Sequence, residues 1–153
     1  LYSSAASDVY KRQLAGVATA LKAIKPGIRV WGVETAGAHS MSQALQAGRP
    51  VDIDVSSIVS TLGVPIIDEL MFAHARHYVE DMVVVPDEEA IKGMLSFAQG
   101  ARQWVELASG ALVPAVIATA PRLPADAVIG LVVCGGNISL QDMTKWAAHA
   151  GIS

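Results

Sequence analysis

Val128-Ile129-Gly130-Leu131-Val132-Val133-Cys134, followed at once by Gly135-Gly136-Asn137, is the stretch on which the reading of the fold turns. Its apolar residues do not alternate with polar ones. A short continuous run of that kind predicts a strand buried on both faces, and the Gly-Gly-Asn after it breaks the strand. Working back along the chain, residues 82–85 and 28–33 have the same compact β-branched character. Helical patterns separate these three predicted strands. Leu14, Val17, Leu21 and Ile24 recur at helical spacing until Pro26 and Gly27 stop them. Residues 38–47 predict a second helix, ended by Gly48 and Pro50, and residues 68–78 a third. Residues 51–65 mix Asp, Ser and β-branched residues and predict a loop. Pro86 and Asp87 open a long helix expected to reach residue 105, with Glu88 and Glu89 in its first turn, where the helix dipole favours negative charge. Another helix is expected over residues 109–120. Ser139 is a predicted N-cap with Asp142 in capping-box position, ahead of a last helix carrying Leu140, Met143 and Trp146. Strands alternating with helices in this way predict an α/β fold, a three-layer arrangement around a mainly parallel sheet.

Composition narrows the function classes. Hydrophobic residues make up 52% of the 153-residue chain and charged residues 16%, a globular composition. The net charge is −3 and the basic residues are scattered, which argues against a nucleic-acid surface. The longest apolar run is far too short to cross a bilayer. The single cysteine, Cys134, excludes an internal disulfide and fits a reducing, cytoplasmic setting. Residues 1–13, LYSSAASDVYKRQ, lack apolar periodicity and resemble the adaptor-derived translation found at the ends of metagenomic reading frames. They are set apart from the fold as an artefact or a disordered N-terminus, and residues 14–153 are taken as the domain.

Open α/β sheets bind ligands beyond the carboxyl ends of their strands. Two such ends carry chemistry here: Glu34, after Val30-Trp31-Gly32-Val33, and Cys134-Gly135-Gly136-Asn137. Glycines at a strand end let a flat ligand approach the backbone. Both sites have plainer readings, Glu34 as a cap for Thr35 or a neighbouring helix and Cys134 as inert core. His74 and His77 lie one turn apart, but no third ligand is placed to help, so they read as a solvated helix face. Met41 and Met94 read as core.

Several segments, in order, resemble the threonine/serine dehydratases and serine racemases, pyridoxal-phosphate enzymes of fold type II. Residues 14–22, LAGVATALK, look like the helix that follows the family's glycine-rich phosphate loop. Val33-Glu34-Thr35, Met41-Ser42-Gln43-Ala44-Leu45 and Gly48-Arg49-Pro50 are similar to the next family segment, and residues 78–85 with Asp87-Glu88-Glu89-Ala90 to the one after. Val105-Glu106 with Ala108, Gly110 and Ala111 resembles the family's Glu-Pro-Ala-Gly-Ala, with Leu107 in place of proline. Cys134-Gly135-Gly136-Asn137 matches its Ser/Cys-Gly-Gly-Asn.

The resemblance implies a tryptophan-synthase-β-like fold, present here in its C-terminal part, with pyridoxal 5'-phosphate as cofactor. It implies that Cys134 faces the pyridine nitrogen and that Gly135, Gly136 and Asn137 shape the ring pocket. A neutral donor there leaves the nitrogen largely unprotonated and the ring a milder electron sink, which suits loss of a β-hydroxyl. Glu34 resembles a carboxylate that binds a divalent cation in metal-dependent relatives, although the partner Asp expected six residues on is Ser40. The implied reaction of the parent protein, a lyase of amino-acid metabolism, converts L-threonine or L-serine to a 2-oxo acid and ammonia. The alternatives are a serine racemase, a β-replacement enzyme of the same fold, or a non-catalytic fragment. The Schiff-base lysine of the family, in a Ser-x-Lys context, has no counterpart among Lys22, Lys25, Lys92 and Lys145, so the chain as given is expected to be inactive. An amino-acid substrate, no nucleic acid, no membrane and a homo-oligomeric full-length form complete the expectation.

Overall fold

The computed structural model describes residues 4–152, with side chains from Lys11 onward. The chain divides into two compact units, residues 1–84 and 85–153.

In the first unit, helix α1 (Ser4–Ile24) is followed by strand β1 (Trp31–Thr35), helix α2 (Ser40–Ala47), a 3-10 turn (Ser60–Leu62), helix α3 (Glu69–Tyr78) and strand β2 (Asp81–Val85). β1 and β2 are neighbours in a two-stranded sheet. The helical crossover between them is the long connection that parallel neighbours need. α1 packs on α3, and α3 on α2. Ala18, Val30, Met41, Ala44, Ile67, Met71, Phe72, Ala75 and Val79 make the core, with Leu14, Leu21 and Met82 packed against it. Each helix contributes positions at helical spacing, but the stripe read on α1 is only partly buried: Leu14 and Leu21 pack against the core, Ile24 is 83% exposed, and the small Ala15 and Ala18 are the residues fully covered. α1 starts at Ser4, ten residues before the periodic pattern begins; residues 1–3 lie outside the described residues. α3 begins where expected because Asp68 caps it, its Oδ1 accepting the Met71 N–H at 2.7 Å.

In the second unit, helix α4 (Asp87–Ser96) runs into a π-turn (Phe97–Ala101), then come helices α5 (Leu107–Gly110), α6 (Leu112–Thr119) and α7 (Leu140–His149). α4 is the centre of this unit and packs on α5, α6 and α7. Ile91 and Met94 on α4 are fully buried, and Val105, Leu107, Ala111, Ala115 and Met143 are buried as well. Three sequence expectations are corrected here. The long helix does not reach residue 105: it ends in the π-turn, and Arg102 adopts a left-handed conformation, φ 57°. The helix expected over residues 109–120 starts two residues earlier and is interrupted at Ala111. Most important, residues 128–134 are not in a strand. Val128 is 98% exposed and Val132 56%. An apolar strand is stable only with ladder partners and both faces covered, and among the described residues the sheet consists of β1 and β2 alone. The capping box at Ser139 and Asp142 is present as expected, with both reciprocal bonds made.

Candidate functional site

Glu34 is the fourth residue of β1 and 3% exposed. Its two carboxylate oxygens accept the backbone N–H groups of Met41 (3.1 Å) and Ser42 (2.9 Å), the second and third residues of α2. The residue at the helix entry, His39, makes no side-chain cap. A carboxylate reaching over from the neighbouring strand therefore satisfies the open N–H groups at the positive end of the helix. Lys11 Nζ lies 3.3 Å from Glu34 Oε1 and donates to the Leu62 carbonyl at 2.9 Å. Both charged side chains are buried. Of the readings open for Glu34, the geometry gives the helix cap. Among the described residues no group of three His, Cys, Asp or Glu comes together to hold a metal ion. The expectation of a divalent cation at Glu34 finds no support, because its oxygens are already taken by two N–H groups and an ammonium.

Neither His74 nor His77 belongs to such a group among the described residues. The Thr19 hydroxyl donates to the Ala15 carbonyl at 2.8 Å, so at 3.1 Å it accepts from the His74 ring, which fixes the proton on Nδ1. His77 stands edge-on to Tyr78, ring centroids 4.5 Å apart. A shallow pocket of about 300 Å³ bounded by Ser42, Leu45, Gln46 and residues 79–82 lies at the start of β2, not at the strand end where open α/β sheets take their ligands.

In the second unit the Cys134-Gly135-Gly136-Asn137 turn is tied to the segment that opens α5. The Gly135 carbonyl accepts the Glu106 N–H at 3.0 Å and the Ser109 hydroxyl at 3.3 Å, and the Gly135 N–H donates to Ser109 Oγ at 3.1 Å. Gly136 lies against the Trp104 carbonyl, so close that an added Cβ would sit 3.1 Å from it. Cys134 is a free thiol, exposed as a residue. Its sulfur is nonetheless partly desolvated. That burial, and then the charge of Glu106, push the thiol pKa up from its ordinary value. Glu106, 9% exposed, is itself pushed up by burial. The group at position 134 is thus a neutral thiol at neutral pH, a weak S–H donor rather than a thiolate nucleophile.

Cys134, Gly135, Gly136 and Asn137 thus form one anchored turn, while Glu34 belongs to the other unit. Sequence reasoning missed Ser109, which it read only as the start of a helix, and Lys11, which lay in the stretch set apart. Removing the Glu106 charge should shift the pH–rate profile of Cys134 alkylation. With Glu106→Gln the thiolate forms at lower pH and the midpoint moves down; an unmoved or raised midpoint would contradict the coupling.

Residues 12–135 match the model of the pyridoxal-phosphate dependent enzyme family. The chain belongs to that family. A mouse protein named serine dehydratase-like is 34% identical over 151 residues, covering 92% of this chain and 46% of the relative. The catabolic L-serine/threonine dehydratase of Saccharomyces cerevisiae is 30% identical over 118 residues, 72% of this chain and 33% of the yeast protein. Among solved structures, the threonine deaminase of T.th. superposes with a TM-score of 0.75 at 28% identity, covering 83% of this chain and 46% of that one. Maize serine racemase gives 0.76 at 26%, covering 89% and 44%. The chain spans less than half the length of each of these proteins. The fold is that of the fold-type II enzymes, represented in part. Among the described residues no helix is long and apolar enough to cross a membrane.

Proposed function

We propose that this chain is the C-terminal part of a threonine/serine dehydratase, a lyase that converts L-threonine or L-serine to a 2-oxo acid and ammonia. The observation that carries the proposal is the anchored turn: a neutral thiol at Cys134, followed by two glycines held against the Trp104 carbonyl and Ser109. Its donor chemistry fits the pyridine edge of pyridoxal 5'-phosphate, since an S–H group can donate to a neutral ring nitrogen without protonating it. When bound, the cofactor supplies the electron sink for the substrate's α-carbon. This chain's own residues do the rest from one side only. With the cofactor bound, Cys134 would hold a proton at Sγ toward the ring nitrogen, Gly135 and Gly136 would admit the ring, and Asn137 would border it. Burial, and after it the charge of Glu106, hold the thiol further on its protonated side.

None of the lysines named from the sequence stands ready to hold a cofactor covalently. Lys92 pairs with Glu89 at 2.6 Å, Lys145 lies over the Trp146 ring, Lys22 sits in the last turn of α1 and Lys25 just beyond it. The isolated chain is accordingly proposed to be inactive. A homo-oligomeric, cytoplasmic full-length enzyme acting on free amino acids completes the proposal. The similarity to maize serine racemase favours one second reading, racemisation on the same scaffold. Incubating L-serine with the full-length enzyme that carries this segment separates the two. Pyruvate and ammonia are expected; D-serine without pyruvate would overturn the dehydratase assignment. In the isolated chain mixed with pyridoxal 5'-phosphate and reduced with borohydride, mass analysis should find no lysine labelled in preference to the other exposed ones; stoichiometric labelling of a single lysine would contradict the proposal.

A further inference from the structure

We propose that Ser109 is the positioning residue of the turn at residues 134–137, its one hydroxyl fixing the Gly135 peptide groups and through them the direction in which Cys134 points. The inference rests on the reading of that turn as the cofactor edge.

Hydroxyls on helices ordinarily bond back to the carbonyl one turn earlier. Thr19 does so to Ala15, Ser96 to Lys92, Thr119 to Ala115 and Thr144 to Leu140, at 2.8 to 2.9 Å. Ser109 instead reaches a residue 26 positions away in sequence. It is 1% exposed, so its hydroxyl must find partners within the protein. Both are on Gly135: the N–H at 3.1 Å and the C=O at 3.3 Å. The first belongs to the peptide joining Cys134 to Gly135, the second to the peptide joining Gly135 to Gly136. One side chain therefore sets two successive peptide planes. The Glu106 N–H reinforces the second plane at 3.0 Å, but on the Cys134 side the clasp is made by Ser109. A glycine at 135 has broad backbone freedom and does not hold such an orientation by itself. The residue that removes this freedom decides where the neighbouring thiol lies.

The test is amide hydrogen exchange by NMR on the whole chain, read at Gly135 and at Ala111. The Ala111 N–H bonds to the Leu107 carbonyl in the same short helical segment and reports its intactness. In Ser109→Ala, Gly135 exchange is expected to rise about tenfold, what one net hydrogen bond contributes to a local opening equilibrium. Ala111 is expected to stay unchanged. Alkylation of Cys134 should also speed up, and Ser109→Thr should restore both readouts. Unchanged Gly135 exchange in Ser109→Ala overturns the proposal. So does an equal rise at Gly135 and Ala111, which is what a merely structural serine would give. Titration of the unsubstituted chain with pyridoxal 5'-phosphate addresses the underlying reading separately. The amide resonances of Cys134, Gly135 and Asn137 are expected to shift, and to need about tenfold more cofactor in Ser109→Ala. If they do not move while Gly135 exchange responds to Ser109→Ala, the clasp stands and the cofactor role of the turn falls.

Discussion

Glu34→Gln should destabilise the first unit by about 3–5 kcal/mol, the loss expected when one partner of a buried ion pair is removed. The carboxylate accepts from Met41 and Ser42 and faces Lys11, all within a region closed to water. A glutamine has the same shape but only one acceptor. Whichever way its amide turns, an NH2 group meets an N–H of α2 or the ammonium of Lys11, and a donor facing a donor is repulsive. The ammonium keeps the Leu62 carbonyl, at 2.9 Å, but loses the negative charge it faces. A buried ammonium deprived of its counter-charge outweighs the hydrogen bonding that glutamine retains. Thermal unfolding followed by circular dichroism should show a midpoint lower by roughly 10 °C, given about 2–4 °C per kcal/mol for a chain of this size. A loss below about 1 kcal/mol would mean that water reaches the pair. Adding Lys11→Met to Glu34→Gln removes the buried charge that has lost its carboxylate, so the double variant should be more stable than Glu34→Gln alone. The opposite order would show that Lys11 is not held by Glu34.

What was legible in the sequence is what depends on neighbours in the chain. Ser139 announces its helix because a cap bonds to an N–H three residues on, and the structure shows Asp68 doing the same for α3. α1 was readable from Leu14, Val17 and Leu21 at helical spacing, and α4 from Pro86 and the acidic residues of its first turn, although Ile24 at the end of the α1 stripe is 83% exposed. The strand expected at residues 128–134 failed for the opposite reason. An apolar run states that it can be buried, and its ladder partners are stated nowhere near it; among the described residues none pairs with it. The π-turn after Ser96 contains Gly100, but the left-handed conformation falls on Arg102, a residue type that does not announce it. At the candidate site, the Cys134-Gly135-Gly136-Asn137 turn was found because its residue types are unusual together. Ser109 was not, because a serine on a helix has many commoner uses and its partner lies 26 residues away. Glu34 was singled out correctly as unusual, with its role as a helix cap left open until α2 was placed. Lys11 gave no local sign of the partner it finds.

Gly93→Ala should cost the second unit about 3 kcal/mol, the upper part of the range for overpacking, because the atoms in the way are backbone. α4 and α5 touch through two glycines. A Cβ on Gly93 would lie 2.0 Å from the Gly110 carbonyl oxygen and 3.1 Å from Pro114 Cδ; one on Gly110 would lie 2.3 Å from the Ala90 carbonyl oxygen and 2.7 Å from the Met94 nitrogen. No rotamer change relieves such contacts; one helix has to move. Alanine is the better helix former by about 1 kcal/mol, a gain smaller than the clash. Gly110→Ala should cost a similar amount, and the double variant less than the two single losses added, since the second methyl enters a gap the first has opened. Urea unfolding measures all three, and a Gly93→Ala protein as stable as the parent would show that the helices are free to separate. Displacing α5 also has a consequence at the turn. The segment that moves carries Ser109, and the Glu106 N–H immediately before it holds the Gly135 carbonyl. In Gly93→Ala, faster exchange at Gly135 should therefore accompany the loss of stability, here together with faster exchange at Ala111. That joint response separates a displaced helix from Ser109→Ala, in which the helix stays in place and only the clasp is lost.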